Sequence, residues 1–535
     1  MAIPIGATAG QFSSIARWTF ACLVVLAVFA WASPSTAGWG AVLIGLLVTL
    51  LIWLMCQTTE GRRTVPAHPV QWVLLVPAGI LAYHLGRQSL PTPPDPLSHM
   101  DGAVNVSMLL QVAMLSLGIM LSQSLLPKAA QHVVALGICG AAMMSAPLAA
   151  RLYGDESVQA MRHTLALLAF AGVGVWLSSL WGVGWRTEVW TPERRGKKPR
   201  ASSGASVKVA RVAIVAVAAA VSCWLTWVSP PAAMLAAAAL GGVVLLGGVV
   251  FPGNRAVLLV AGGVVTGGAL LASGIVPRLA EISLNAGEMG LVGLGELAFG
   301  RVSASDNGLT VLAWTIGWGG VWWMAGGMVV CIAYLMSRAR TRRAWDRRRV
   351  IVWTWATVLS SCAMLSVGGL FSPAMVLSAS LTWGLMPRMV GRGGEERSGG
   401  VFLLVLAAMA VVLGIARNGG LIHWSVSALF AAPRIDKYLH VGTGVFLTMT
   451  MAWLMSARHK WLGVVGICLA AGAGVLGEVV QLAFQRQMDL RDVGAHLVGC
   501  AAGAIPFLLC MGARWCESPD ARAPDTRGAD AYQRA

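Results

Sequence analysis

Asp436, Lys437 and His440 open an apolar run, RIDKYLHVGTGVF from Arg434 to Phe446. Spacings of three and four put an acid, an amine and an imidazole on one face if the run is helical. Such a trio can pass protons or grip a charged headgroup. Further on, GEVVQLAFQRQMDLRD (Gly477 to Asp492) holds Glu478 and Gln481 three apart inside apolar sequence, followed by Arg486, Asp489, Arg491 and Asp492. The next apolar run opens DVGAHLVGCAAG, with Asp492, His496, Gly499 and Gly503 at spacings of four, three and four. Ionisable side chains in apolar segments are costly and mark function by default. The candidate binding set is therefore Asp436, Lys437, His440, Glu478, Gln481, Arg486, Asp489, Asp492 and His496. Within it, Glu478, His496 and Asp492 are the candidates for acid or base chemistry, and Arg486 or Lys437 could hold a phosphate.

The elements that must position these residues are membrane helices. The 535 residues are 57% hydrophobic and 11% charged, with a mean hydropathy of +0.72. That is too apolar for a soluble globular chain. Apolar segments of roughly 18 to 25 residues recur from end to end, long enough to cross a bilayer as helices, and none alternates with period two as a barrel strand must. The expected fold is all-α, a polytopic transmembrane bundle of about sixteen spans. Among them are spans at 69–86, 164–184, 212–229, 231–252, 256–276, 309–336, 350–369 and 372–387, and the last four at 400–416, 437–456, 461–483 and 493–512. Three of those last four deliver the polar set, and Gly499 and Gly503 form a small-x-x-x-small pair that allows close helix approach. Packing of the last two spans is expected to bring His496 near Glu478.

The net charge of +17 might point to nucleic acid, but its distribution argues otherwise. The densest runs, RRGKKPR (Arg194 to Arg200) and RARTRRAWDRRR (Arg338 to Arg349), fall on the same side of the membrane, as the positive-inside rule requires of cytoplasmic loops. Both termini are therefore expected in the cytoplasm, with the polar set at the outer headgroup level of the membrane. Membrane lipids are the expected partners, and nucleic acid is not. Arg17, a short apolar run and the AWA at Ala30 to Ala32 have the form of a signal-peptidase site, and cleavage there would leave the orientation of the other spans unchanged.

Six spans are expected in residues 1–185 and six in 212–388, separated by a basic, small-residue linker at 186–211. A glycine-paired hinge at 389–399 then leads into a four-span module at 400–512 and a polar cytoplasmic tail at 513–535, expected to be disordered. The ten cysteines form no C-x-x-C pair and read as packing residues. With no zinc spacing, Walker motif, dinucleotide glycine set or nucleophile elbow in a supporting context, neither metal nor cofactor is expected.

The set D-K-x-x-H at Asp436 to His440, G-E-x-x-Q at Gly477 to Gln481, then Arg486, Asp489 and Asp492, and a final G-x-x-x-G resembles the VanZ-like family of bacterial membrane proteins, over about residues 400–512. The founding member of that family is associated with resistance to the glycopeptide antibiotic teicoplanin. The resemblance implies a multi-pass protein of the bacterial inner membrane with a cell-envelope role and no established reaction. His496 departs from it, standing where the family pattern has asparagine, and an imidazole titrates where an amide does not. From Ser305, SDNGLTVLAWTIGWGG is similar to the stretch after the large outer loop of O-antigen ligase and polymerase proteins, though without their usual histidine.

Three functions fit these readings. The first is a binding module, with a polar headgroup, envelope glycan or glycopeptide-type antibiotic held at the outward cluster. The second is a membrane enzyme acting on a lipid-linked envelope glycan. The third, a transporter, has least behind it, because no inverted repeat is visible and the first twelve spans hold few mid-membrane charges.

Overall fold

The computed structural model describes residues 19–20, 22–23, 42, 45–46, 48–54, 68–88, 111–112, 114–122, 155–184, 204–250, 255–272, 291, 308–338, 344–366, 372–390, 435–456, 461–483 and 489–516. Every regular element among the described residues is an α-helix, and no strand occurs there. The longer helices are α1 (Pro69–Gln88), α2 (Asp155–Gly184), α3 (Gly204–Val228), α4 (Pro230–Val250), α5 (Arg255–Ala272), α6 (Gly308–Arg338), α7 (Ala344–Met364), α8 (Pro373–Val390), α9 (Ile435–Ser456), α10 (Leu462–Ala483) and α11 (Leu490–Cys516). Each overlaps an expected span. α3 begins at Gly204, so the end of the stretch read as a linker is helical, its alanine and valine content continuing the run that follows. The span expected at 400–416 and the hinge at 389–399 lie outside the described residues, apart from Met389 and Val390 at the end of α8.

Among the described residues, three helices are long and apolar enough to cross a membrane: Pro230–Val250, Gly308–Ser337 and Leu462–Val479. Large apolar side chains stand on outer surfaces, among them Trp227 at 81% exposure, Val264 and Leu476. Apolar surface of that extent needs a lipid environment or a partner rather than water.

Local signals set the helix starts. α1, α4 and α8 each begin at proline, whose missing N–H is harmless in the first turn. Ser229 and Ser372 stand just before α4 and α8, their carbonyls accepting from Ala233 and Val376 at 3.2 Å. Ahead of α1, His68 and Gln71 cap each other: the Gln71 N–H donates to the His68 carbonyl at 3.0 Å, and the His68 N–H to Gln71 Oε1 at 3.1 Å.

The chain divides into two compact units, one of Phe20–Leu46 with Val65–Leu429, the other of Met1–Thr19, Leu47–Thr64 and Phe430–Ala535. In the first, α1 packs on α6, α2 on α7, α4 on α5 and α7 on α8. Glycines let α4 and α5 approach backbone to backbone, since a Cβ on Gly262 would meet Leu245 N at 2.7 Å. Indoles tie other pairs by donating to carbonyls: Trp355 Nε1 to Ala236 O at 2.9 Å, Trp353 Nε1 to Thr382 O at 3.0 Å, and Trp323 Nε1 to Val73 O at 3.0 Å. Between α7 and α8, Ser360 Oγ meets Thr382 Oγ1 at 2.6 Å and Trp383 Nε1 donates to Ser361 Oγ at 3.0 Å. The groups between α7 and α8 are buried and matched to one another.

α6 is broken at Gly317, with φ 72° and ψ 172°, and beyond the break Gly319 N–H donates to Leu291 O at 2.9 Å. That backbone region is essentially confined to glycine. Gly317→Ala should therefore destabilise the protein by roughly 1 to 3 kcal/mol, read as a lower unfolding midpoint in detergent.

Candidate functional site

The second unit holds α9, α10 and α11, with Trp453 of α9 stacked at a tilt on Trp53, ring centroids 5.9 Å apart. α9 and α11 cross at the closest approach. A Cβ on Gly499 would collide with the Val441 carbonyl, one on Gly444 with the His496 carbonyl, and one on Gly503 would meet Val445 O at 2.8 Å. α10 joins through its own small residues: a Cβ on Gly466 would meet Met451 O at 2.6 Å, and Gly474 lies under the His496 ring. Backbones this close fix the rotation and stagger of the three helices, and so the position of the polar residues at their ends.

Those residues meet. Lys437 of α9 donates to Asp489 Oδ2 at 2.8 Å and to Asp492 Oδ1, pairing with both carboxylates. His440, one turn along the same face, has its Nε2 3.5 Å from Asp492 Oδ2. Glu478 of α10 completes the group: one ligating atom each from His440, Glu478 and Asp492 lie within 4.8 Å of one another. Glu478 is 2% exposed and Asp492 8%.

Asp489 has a double role. As the residue preceding α11 it takes the N-cap position, its Oδ1 accepting the Arg491 N–H at 2.8 Å, while its own N–H points to Glu478 Oε2 at 3.4 Å. The hydrogen bond from Lys437, seconded by the Arg491 N–H, holds the Asp489 carboxyl below the usual carboxylate range. The cap of one helix is thereby tied to the first turn of another.

His496 is placed differently. Its ring lies over Gly474, and Nε2 is 3.0 Å from the Ala470 carbonyl, to which it donates in the Nε2–H tautomer. At 4% exposure it joins α11 to the backbone of α10, a turn or more from Glu478 along that helix. Of the other expected site residues, Asp436 and Gln481 belong to α9 and α10 but their side chains lie outside the described residues, as does Arg486 altogether. Gly444 and Gly474, which shape the site, carry no chemistry of their own to single them out, although Gly474 stands four residues before Glu478, a spacing that marks the same helix face.

No family model, curated protein or solved structure matches this chain. The site is therefore read from its own chemistry. Two buried carboxylates and an imidazole face one another, a half-exposed aspartate flanks them, and one ammonium bridges two of the acids. This arrangement can take up a proton, a cation or the cationic and hydroxyl groups of a polar ligand, and its anchored ammonium can meet an anionic one.

Proposed function

We propose that this chain is a VanZ-like multi-pass protein of the bacterial inner membrane, with about sixteen spans and both termini cytoplasmic. Its outward cluster at the ends of α9, α10 and α11 binds a polar headgroup, an envelope glycan or a glycopeptide-type antibiotic. The observation that carries this is the convergence of Lys437, His440, Glu478, Asp489 and Asp492 from separate helices, with Glu478 and Asp492 almost wholly buried. Holding ionisable groups there is expensive for a protein that needs only to pack helices, because small and apolar residues achieve that at lower cost.

The test is binding of a lipid-linked glycan precursor and of teicoplanin to purified full-length protein, by one common assay. Glu478→Gln should weaken binding about tenfold or more, since a hydrogen bond to a charged group is worth roughly 1.5 to 3 kcal/mol. Binding at the parent's level in a folded Glu478→Gln protein overturns the reading.

A second reading, an enzyme acting on a lipid-linked envelope glycan, is favoured by one detail: His440 Nε2 stands 3.5 Å from Asp492 Oδ2 with the buried Glu478 carboxyl beside them, an imidazole and two acids of the kinds that acid and base catalysis uses. It predicts a changed lipid or glycan profile in cells carrying an inserted Asp492→Asn protein, and identical profiles overturn it.

A further inference from the structure

We propose that His440, Glu478 and Asp492 form a binding site for one divalent first-row transition ion of the Zn2+ or Mn2+ type. Each residue comes from a different helix, and their ligating atoms lie within 4.8 Å of one another. Nitrogen and oxygen ligands at their usual distances around a tetrahedral Zn2+ stand about 3.4 Å apart. The His440 Nε2 to Asp492 Oδ2 separation of 3.5 Å is already at that value. Bringing Glu478 in requires at most a shift of roughly 1.5 Å in a side chain with three rotatable torsions.

The surroundings orient the ligands. Lys437 engages Asp492 through Oδ1, which leaves Oδ2 on the side of His440. The Asp489 N–H approaches Glu478 Oε2, so a neighbouring hydrogen bond steers this carboxylate as outer-shell partners steer ligands elsewhere. The glycine contacts at Gly444 and Gly499 hold α9 and α11 at fixed stagger. One imidazole with two carboxylates suits Zn2+ or Mn2+ better than Mg2+ or Ca2+, which prefer oxygen alone. Three protein ligands leave at least one position for water or for an anionic oxygen of a headgroup. The site deepens the binding reading above and rests on it only for the assignment of this cluster as the working part of the protein.

Metal-stripped full-length protein in detergent should bind one equivalent of Zn2+, and Co2+ in its place should give the visible absorption of a low-symmetry site. His440→Gln, Glu478→Gln and Asp492→Asn should each weaken Co2+ binding tenfold or more. Because those variants could also fail to fold, His440→Cys supplies a gain of signal: its Co2+ form should acquire thiolate-to-cobalt charge-transfer absorption that the parent lacks. A stoichiometry well below one, Co2+ affinity unchanged in all three substitutions, or no new band in a folded His440→Cys protein overturns the proposal. Teicoplanin and lipid-linked precursor binding, measured with and without chelator, separates the two ideas. Ligand binding without metal uptake overturns the cation site and leaves the headgroup reading standing, whereas metal uptake without ligand binding supports the cation site and removes that reading.

Discussion

Gly499→Val should lower the stability of the protein by roughly 3 kcal/mol or more, the upper end of what overpacking costs. The added Cβ would collide with the Val441 carbonyl, and a backbone oxygen on a packed helix has no rotamer by which to move aside. α9 and α11 would have to separate, which would also pull Lys437 and His440 away from Asp492. The expected result is a lower midpoint of unfolding in mixed micelles together with loss of whatever the cluster binds. Gly494, on the same helix, faces open space, so Gly494→Ala should change stability by less than about 1 kcal/mol. Equal effects at the two glycines would mean that α9 and α11 do not cross where Gly499 lies.

Lys437→Met should cost roughly 2 kcal/mol. Asp492 has an 11% exposed side chain, and losing its ammonium partner leaves a buried carboxylate to neutralise or rehydrate. The figure lies below the roughly 3 to 5 kcal/mol of a fully buried pair because Lys437 is itself about a third exposed and partly screened by water. Adding Asp492→Asn to Lys437→Met should restore part of the loss, and strict additivity in that double-mutant cycle would show the two residues to be uncoupled. pH provides a second readout. The Asp489 carboxyl titrates lower in the folded protein than in the unfolded chain because Lys437 donates to it. Its contribution is therefore present above the unfolded value and is lost as pH falls through the folded value. Unfolding midpoints followed from roughly pH 5 to pH 3 should fall more steeply in the parent than in Lys437→Met. Parallel curves would show that the Lys437 to Asp489 bond does not shape the acid response.

Much of the helical architecture was legible in the sequence because apolar length is a local property. The runs read at 437–456, 461–483 and 493–512 became α9, α10 and α11 with ends shifted by a few residues. The polar residues at the helix ends were equally visible, since an acid or histidine in an apolar run stands out whatever surrounds it. Spacing within one helix also placed Lys437 and His440 on a shared face, as the structure has them. What spacing within a helix does not contain is the rotation and stagger of that helix against the next.

Those two quantities decided the site. His496 and Glu478 each belong to their helix by sequence, yet the overlap of Gly474 with the His496 ring sets that imidazole on the α10 backbone at Ala470. His440, far away in the chain, faces Asp492 instead. Asp489 offered no hint of spanning two helices, because its cap to Arg491 is local while its bond to Lys437 crosses from α11 to α9. A three-ligand cluster was likewise invisible as a motif, since His440, Glu478 and Asp492 come one from each helix and share no short spacing. Apolar length and helical period, both local properties, account for the helices of the described residues, for their ability to cross a membrane and for the residue types available for chemistry. Which of those residues meet is settled by packing, through close contacts at Gly444, Gly474 and Gly499 between segments distant in the chain.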